Sequence, residues 1–127
     1  MPKQDIRMNG SEIDRFLCSQ TTAIVIATAG NGAPQGAVGH LHYDDGRVAF
    51  SLRDDDPVLL LLATDDRVCC MVEQFPSYYG IMGVMLHGHT SRRETAEPGR
   101  ATFDLHVDKV VSFDFGKLAG TAHLRPS

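Results

Sequence analysis

The residues of this chain best equipped for chemistry are its histidines, and four of the six form two His-x-His pairs, His40 with His42 and His87 with His89. On a β-strand, residues i and i+2 share a face, so each pair is able to flank one ligand or chelate one metal ion. A single exposed imidazole is also able to ligate a haem iron. Against these roles stands the ordinary one, a polar side chain facing solvent. Alternation places His87 and His89 on the face opposite Val84, Leu86 and Gly88, away from an interior site. No Ser, His and Asp stand in the order of a hydrolytic triad and no nucleophile elbow is present, so no catalytic residue is assigned.

The cysteines offer less. Cys18, Cys69 and Cys70 are odd in number, and neighbours such as Cys69 and Cys70 point to opposite faces of a strand, so no disulfide framework is expected. Zinc would call for a Cys-x-x-Cys pair or an equivalent, which the sequence lacks, and no metal site is expected. Cys70, inside the apolar run 68–72, reads as a core residue.

The elements that must position these groups are mostly short strands. Residues 22–28 are β-branched and apolar, and Gly30-Asn31-Gly32 after them supplies the positive φ angles of a tight hairpin turn. Residues 35–43 lead to a second turn at Asp44-Asp45-Gly46, and residues 47–52 return with Val48, Phe50 and Leu52 alternating against Ala49 and Ser51. The first three strands therefore form an antiparallel meander. Residues 68–73 and 81–92 are further strands, with Pro76 and Gly80 interrupting the chain between them. After the turn at Glu97-Pro98-Gly99, residues 101–115 suit one bent strand or two short ones.

Two helices are expected. The first, over residues 11–19, has Ser11 as its capping hydroxyl with Asp14 three residues on. The second, over residues 58–63, is capped by Asp56 and has Pro57 at its first position, where a missing N–H costs nothing. It is apolar almost all round, which predicts burial. The tail 118–127 has no strong periodicity.

With 127 residues, 43% of them apolar and 22% charged, the chain suits one domain over residues 1–127 with a core of its own. The pattern predicts a mainly β fold, a β-barrel of about six antiparallel strands with two short peripheral helices. A net charge of −4, with acidic residues spread along the chain, argues against nucleic acid or an anionic membrane as partner. The longest strictly apolar run, 58–63, is far short of the roughly 20 residues that cross a bilayer. The first residues lack the apolar segment of a secretory signal, so a cytoplasmic location is expected.

Taken in order, these residues resemble the pyridoxamine 5′-phosphate oxidase-like, FMN-binding split-barrel family, over about residues 12–117. The likeness rests on a helix around Phe16-Leu17, a strand ending Ala27-Thr28, and Gly32-x-Pro34 opening strand two. It continues through Tyr43-Asp44-Asp45-Gly46 turning into Val48-Ala49-Phe50, a helix reaching Ala63-Thr64-Asp65-Asp66, and Val68 at strand four. Gly88 ends strand five, and Val111-Ser112-Phe113-Asp114-Phe115-Gly116-Lys117 resembles the closing strand.

The resemblance implies a homodimer with two flavins in clefts at the subunit interface, and hydride or electron transfer at the flavin ring. It points to an FMN-dependent oxidoreductase of unknown substrate, acting on a small molecule. The aromatic stretch 75–79 would suit either the interface or packing on its own barrel. The family's phosphate clamp, a Ser followed by Arg or Lys just after strand three, falls here on Asp54-Asp55-Asp56-Pro57-Val58. Carboxylates there repel a phosphate and already occupy the helix N-terminus, so the clamp is degenerate.

Arg53 is the nearest substitute, either folding onto a phosphate or pairing with Asp54 or Asp55. The cofactor-binding set carried over is Ser51, Leu52 and Arg53, through their main chain, with His40 and His42 nearby. The family's flavin-contacting Gln on strand five falls near Gly83, which offers backbone alone. Counterparts of the pyridoxal-phosphate-contacting basic residues are missing, so vitamin B6 oxidation is not expected. The alternatives to FMN are a deazaflavin, haem, or no cofactor in a non-catalytic ligand-binding barrel.

Overall fold

The computed structural model describes residues 5–28, 32–74, 80–94 and 97–118. Along the chain run α1 (Gly10–Cys18), β1 (Thr22–Ala27), β2 (Gln35–Asp44), β3 (Arg47–Arg53), α2 (Val58–Thr64), β4 (Arg67–Gln74), β5 (Met82–Arg92) and β6 (Arg100–Asp114). Every strand pairing is antiparallel, and the strands close into a barrel in the order β1-β2-β3-β6-β5-β4. Residues 29–31, 75–79 and 119–127, with most of the first expected turn, the aromatic stretch and the tail, lie outside the described residues.

Two-residue alternation decides what fills the barrel. Ala37, Gly39 and Leu41 of β2, Val68, Cys70 and Val72 of β4, and Val84, Leu86 and Gly88 of β5 are buried, while the residues between them are not. Phe50 is fully enclosed and stacks on Phe103 with ring centroids 5.3 Å apart. Each large apolar side chain so enclosed contributes about 1.5–3 kcal/mol. Burial pushes the Cys70 thiol up to about 12, consistent with its expected place in the core. The meander of β1, β2 and β3 forms as expected, its second turn made by Asp45 and Gly46, both at positive φ.

β2 changes partner midway. Its residues from Gln35 to His40 pair with β1, and those from His40 to Asp44 pair with β3. Among the described residues the β2–β3 ladder ends at His40 opposite Ser51, so Leu52 and Arg53 pair with β6 alone. α2 lies against β1 and β2 and sends Val58 and Leu62 into the core. The barrel is therefore split beside the end of β3, while α2 packs on β1 and β2.

Two expectations are corrected. α1 is capped by Asn9, whose side chain accepts from the Glu12 N–H while Glu12 accepts from the Asn9 N–H, each at 2.9 Å. The capping box sits two residues upstream of Ser11 and Asp14 because Asn9 offers the same acceptor and Glu12 the longer reach back. α2 is not buried all round, since Leu60 is 76% exposed. Seven residues make two turns, and only one side of two turns can face the barrel. Of the two expectations for residues 101–115 the single bent strand holds: β6 is one strand of 15 residues whose register with β5 shifts at His87/Gly88, so a bulge supplies the bend.

Candidate functional site

The outward face of β2, β3 and β6 brings His40, Ser51 and Thr102 into one cross-strand row, with Thr22 of β1 beside His40. His42 lies one row on, opposite Ala49. Both histidines are exposed. Leu52 points inward and is wholly buried in the core, so any contact it makes with a ligand is through its main chain. Gly39 permits the close approach of β2 to β3 here: a Cβ on it would lie 2.8 Å from the Ser51 carbonyl oxygen and 2.9 Å from Leu52 Cδ2.

Ser51 differs from its neighbours in being polar, outward by alternation, and fully buried. Arg100 explains this. Its Nε donates to Ser51 Oγ at 2.9 Å and a terminal guanidinium nitrogen donates to the Ser51 carbonyl at 2.8 Å. A buried hydroxyl left without a partner would cost about 1–3 kcal/mol, so the contact holds the end of β3 in place. Arg100 is half-buried and makes no ion pair among the described residues. A part-buried guanidinium bonded to neutral oxygens keeps its charge available to an anion.

Arg53 lies directly opposite Arg100 on β6. Like charges so placed repel, and the two diverge: Arg100 turns to Ser51, and Arg53 turns to Asp55 at 2.9 Å, both members of that pair being well exposed. Asp56 accepts from the Val58 N–H at 2.9 Å, filling the start of α2. The loop after β3 is thus an acidic surface on which Arg53 and the Val58 N–H are already taken by the loop's own carboxylates, and it does not fit a phosphate. Arg100 is the cation beside Ser51. On β5, the Gly83 position is covered by Phe113, whose ring a Cβ there would meet at 2.3 Å.

The predicted set is thus divided. His40 and Ser51 are brought together, His42 and Arg53 stand at the rim, and Leu52 faces inside. Arg100 was missed by the sequence reading, because nothing in the turn before it shows that β6 will lie against β3. His87 and His89 do face away from buried Val84, Leu86 and Gly88. His89 bridges Asp66 at 3.0 Å and Asp108 at 3.2 Å, and the hydrogen bond to Asp66 raises its pKa. Among the described residues, no group of three or more His, Cys, Asp and Glu is placed to hold a metal ion, and no helix is long and apolar enough to cross a membrane.

The closed six-stranded barrel, split at β2 and β3 and carrying short helices, is the fold of the FMN-binding split barrels, as solved structures bear out. The conserved hypothetical protein Rv2991 from Mycobacterium tuberculosis superposes with a TM-score of 0.78 at 19% identity, covering 94% of this chain and 92% of that one. An FAD-binding protein from Mesorhizobium loti gives 0.68 at 12% identity, covering 84% and 94%. HutZ, the haem-storage protein from Vibrio cholerae, gives 0.67 at 11% identity, covering 83% and 96%. No protein-family model and no curated protein matches the chain.

Proposed function

We propose that this chain is a flavin-binding, oxidoreductase-like split-barrel protein in which Arg100 takes over the anchoring of the cofactor's phosphate from the degenerate clamp. The observation that carries this reading is the open edge of β3 beyond the His40–Ser51 pair, with the guanidinium of Arg100, which makes no ion pair among the described residues, beside it. Main-chain groups of Leu52 and Arg53 on that edge suit the polar rim of a flavin ring, and the apolar barrel wall suits its faces. The bound flavin would supply hydride or electron transfer. The chain's own part is to orient the ring along β3, to hold its anionic end at Arg100, and to present His40 within the same row.

A homodimer belongs to the same reading. Val38, 71% exposed on the outward face of β2, and Ile24 opposite it on β1 are apolar side chains that a second subunit would cover. A second reading, haem binding, is favoured by one observation: His40 and His42 both present exposed imidazoles on one face of β2.

The test is retention of added ligand through gel filtration, with FMN, riboflavin, a deazaflavin and haemin compared. The flavin reading expects stoichiometric FMN absorbance, with riboflavin held more weakly, and loss of that preference in Arg100→Ala. A Soret band that disappears in His40→Ala or His42→Ala supports haem instead. Retention of none of these ligands defeats both.

A further inference from the structure

The outward face of β4 and β5 carries a cluster that the flavin reading does not use. Cys69 pairs with His87 across the two strands, and Met71 pairs with Met85 in the next row of the same face. The inward neighbours Cys70, Val72, Val84 and Leu86 are buried, and the four outward residues are all half-buried. Cys69 Sγ lies 3.9 Å from His87 Nε2. The pair lines a surface cleft of about 290 Å³ together with Ile26, Pro34 and Arg67.

From this geometry we infer that Cys69, His87 and the thioethers of Met71 and Met85 form a binding site for a soft monovalent metal ion, Cu(I). Bonds of roughly 2.3 Å to sulfur and 2.0 Å to imidazole nitrogen, typical of a d¹⁰ first-row ion, would close the observed gap at an S–metal–N angle of about 130°. That angle is open enough for a trigonal ion, and the paired Met71 and Met85 stand in the next row of the same face. Thiolate and thioether ligands select Cu(I), whereas hard ions prefer carboxylates and water. Ile26 is paired with Cys69 and Ile24 with Met71 on β1, and Val111 with Met85 on β6, so apolar side chains flank the donors.

Charge points the same way. Arg67 lines the cleft with its guanidinium held by Asp65 at 2.7 Å, and Lys109 stands opposite His87. The residues lining the cleft include no carboxylate to balance a second positive charge, while Cu(I) on one thiolate is net neutral. Burial raises the Cys69 pKa, so the thiol is protonated in the free protein. Binding therefore exchanges one proton for one Cu(I): the S–H bond breaks, the S–Cu bond forms, the proton leaves to solvent, and no electron is transferred. His87 binds through Nε2 as the neutral imidazole.

The test uses the full chain carrying Cys18→Ser, which removes the exposed thiol that would bind copper on its own. Under reducing, anaerobic conditions, Cu(I) offered as its bicinchoninate complex is expected to transfer at one ion per chain, with a sulfur-to-copper absorption band in the near ultraviolet. Cys69→Ser and His87→Ala, confirmed as folded by circular dichroism, are expected to weaken binding by at least about 10–100-fold, the loss seen when even a supporting partner of a ligand is removed. Met71→Leu and Met85→Leu are expected to weaken it less. Equal copper affinity in Cys69→Ser or His87→Ala overturns the site, as does failure of the parent chain to take up one Cu(I). Tighter retention of Zn(II) than of Cu(I) overturns the choice of ion.

Discussion

Two outward faces of one barrel, that of β2, β3 and β6 and that of β4 and β5, are made by the same alternation and carry opposite chemistry. The first is hydrogen-bonded and hard: Ser51 and Thr102 are buried polar residues, Arg100 closes over one of them, and His40 stands in the same row. The second is soft, with two sulfur-bearing rows among isoleucine and valine. Between them lies one continuous apolar interior from Val25 through Phe50 to Val84. The barrel thus separates stability from chemistry. Its inside is uniform, so its outside is free to differ from strand to strand.

The strongest way to break the comparison is through the interior that both faces share. Phe50→Ala removes a fully enclosed ring and its stack on Phe103, and is expected to cost about 3–5 kcal/mol. Urea unfolding followed separately by circular dichroism and by Cys69 thiol reactivity should show both faces lost in one transition. Two separated transitions would mean that the faces are not skins on a common core.

Arg100→Ala sharpens the comparison, because it should act on the first face alone. Stranding the buried Ser51 hydroxyl is expected to cost about 1–3 kcal/mol. In a double-mutant cycle with Ser51→Ala, most of that cost should vanish, and additive effects would show that the hydrogen bond is not what Arg100 contributes. The pairing of Cys69 with His87 should be undisturbed in all three variants, as read from their NMR shifts.

The acidic loop after β3 provides a smaller test. Asp56→Ser combined with Val58→Lys introduces a hydroxyl and a cation after β3, and on the flavin reading one charge-assisted hydrogen bond of about 1.5–3 kcal/mol predicts roughly tenfold tighter FMN binding or more. Unchanged affinity by calorimetry would put the loop out of reach of the phosphate and leave its anchoring to Arg100 alone.

The smallest effect expected is at His89, which joins the end of α2, through Asp66, to β5 and to Asp108 of β6. The Asp66 carboxylate raises its pKa above the ordinary 6.5. The contribution of the charged bridge to stability is therefore complete below pH 6.5 and fades as pH rises through the folded value. Imidazole chemical shifts should titrate above the ordinary value and return toward it in Asp66→Asn. Unchanged titration in that variant would assign the shift to another group.

Much of this molecule was legible beforehand because its signals are local. The hairpin turn at Asp45-Gly46 needs positive φ, and Val48, Phe50 and Leu52 alternate with period two, so β2 and β3 are readable from a window of a few residues. Pairing of Arg53 with Asp55 was one of two expectations, and the structure shows it. The capping of α1 was misplaced because Asn9 and Ser11 are both good caps, and the choice depends on which one Glu12 reaches. The exposure of Leu60 was missed because composition does not reveal which side of a two-turn helix meets the barrel.

The sequence by itself determined the alternation that sorts inside from outside, the turns and the acidic loop, because each depends on neighbours along the chain. Tertiary structure alone decided that β6 lies against β3 and β5 against β4. The first pairing sets Arg100 over Ser51 and opposite Arg53, and the second sets His87 beside Cys69. Those contacts join residues 49 and 18 positions apart. They follow from strand order and register, which depend on how the whole apolar surface is buried at once.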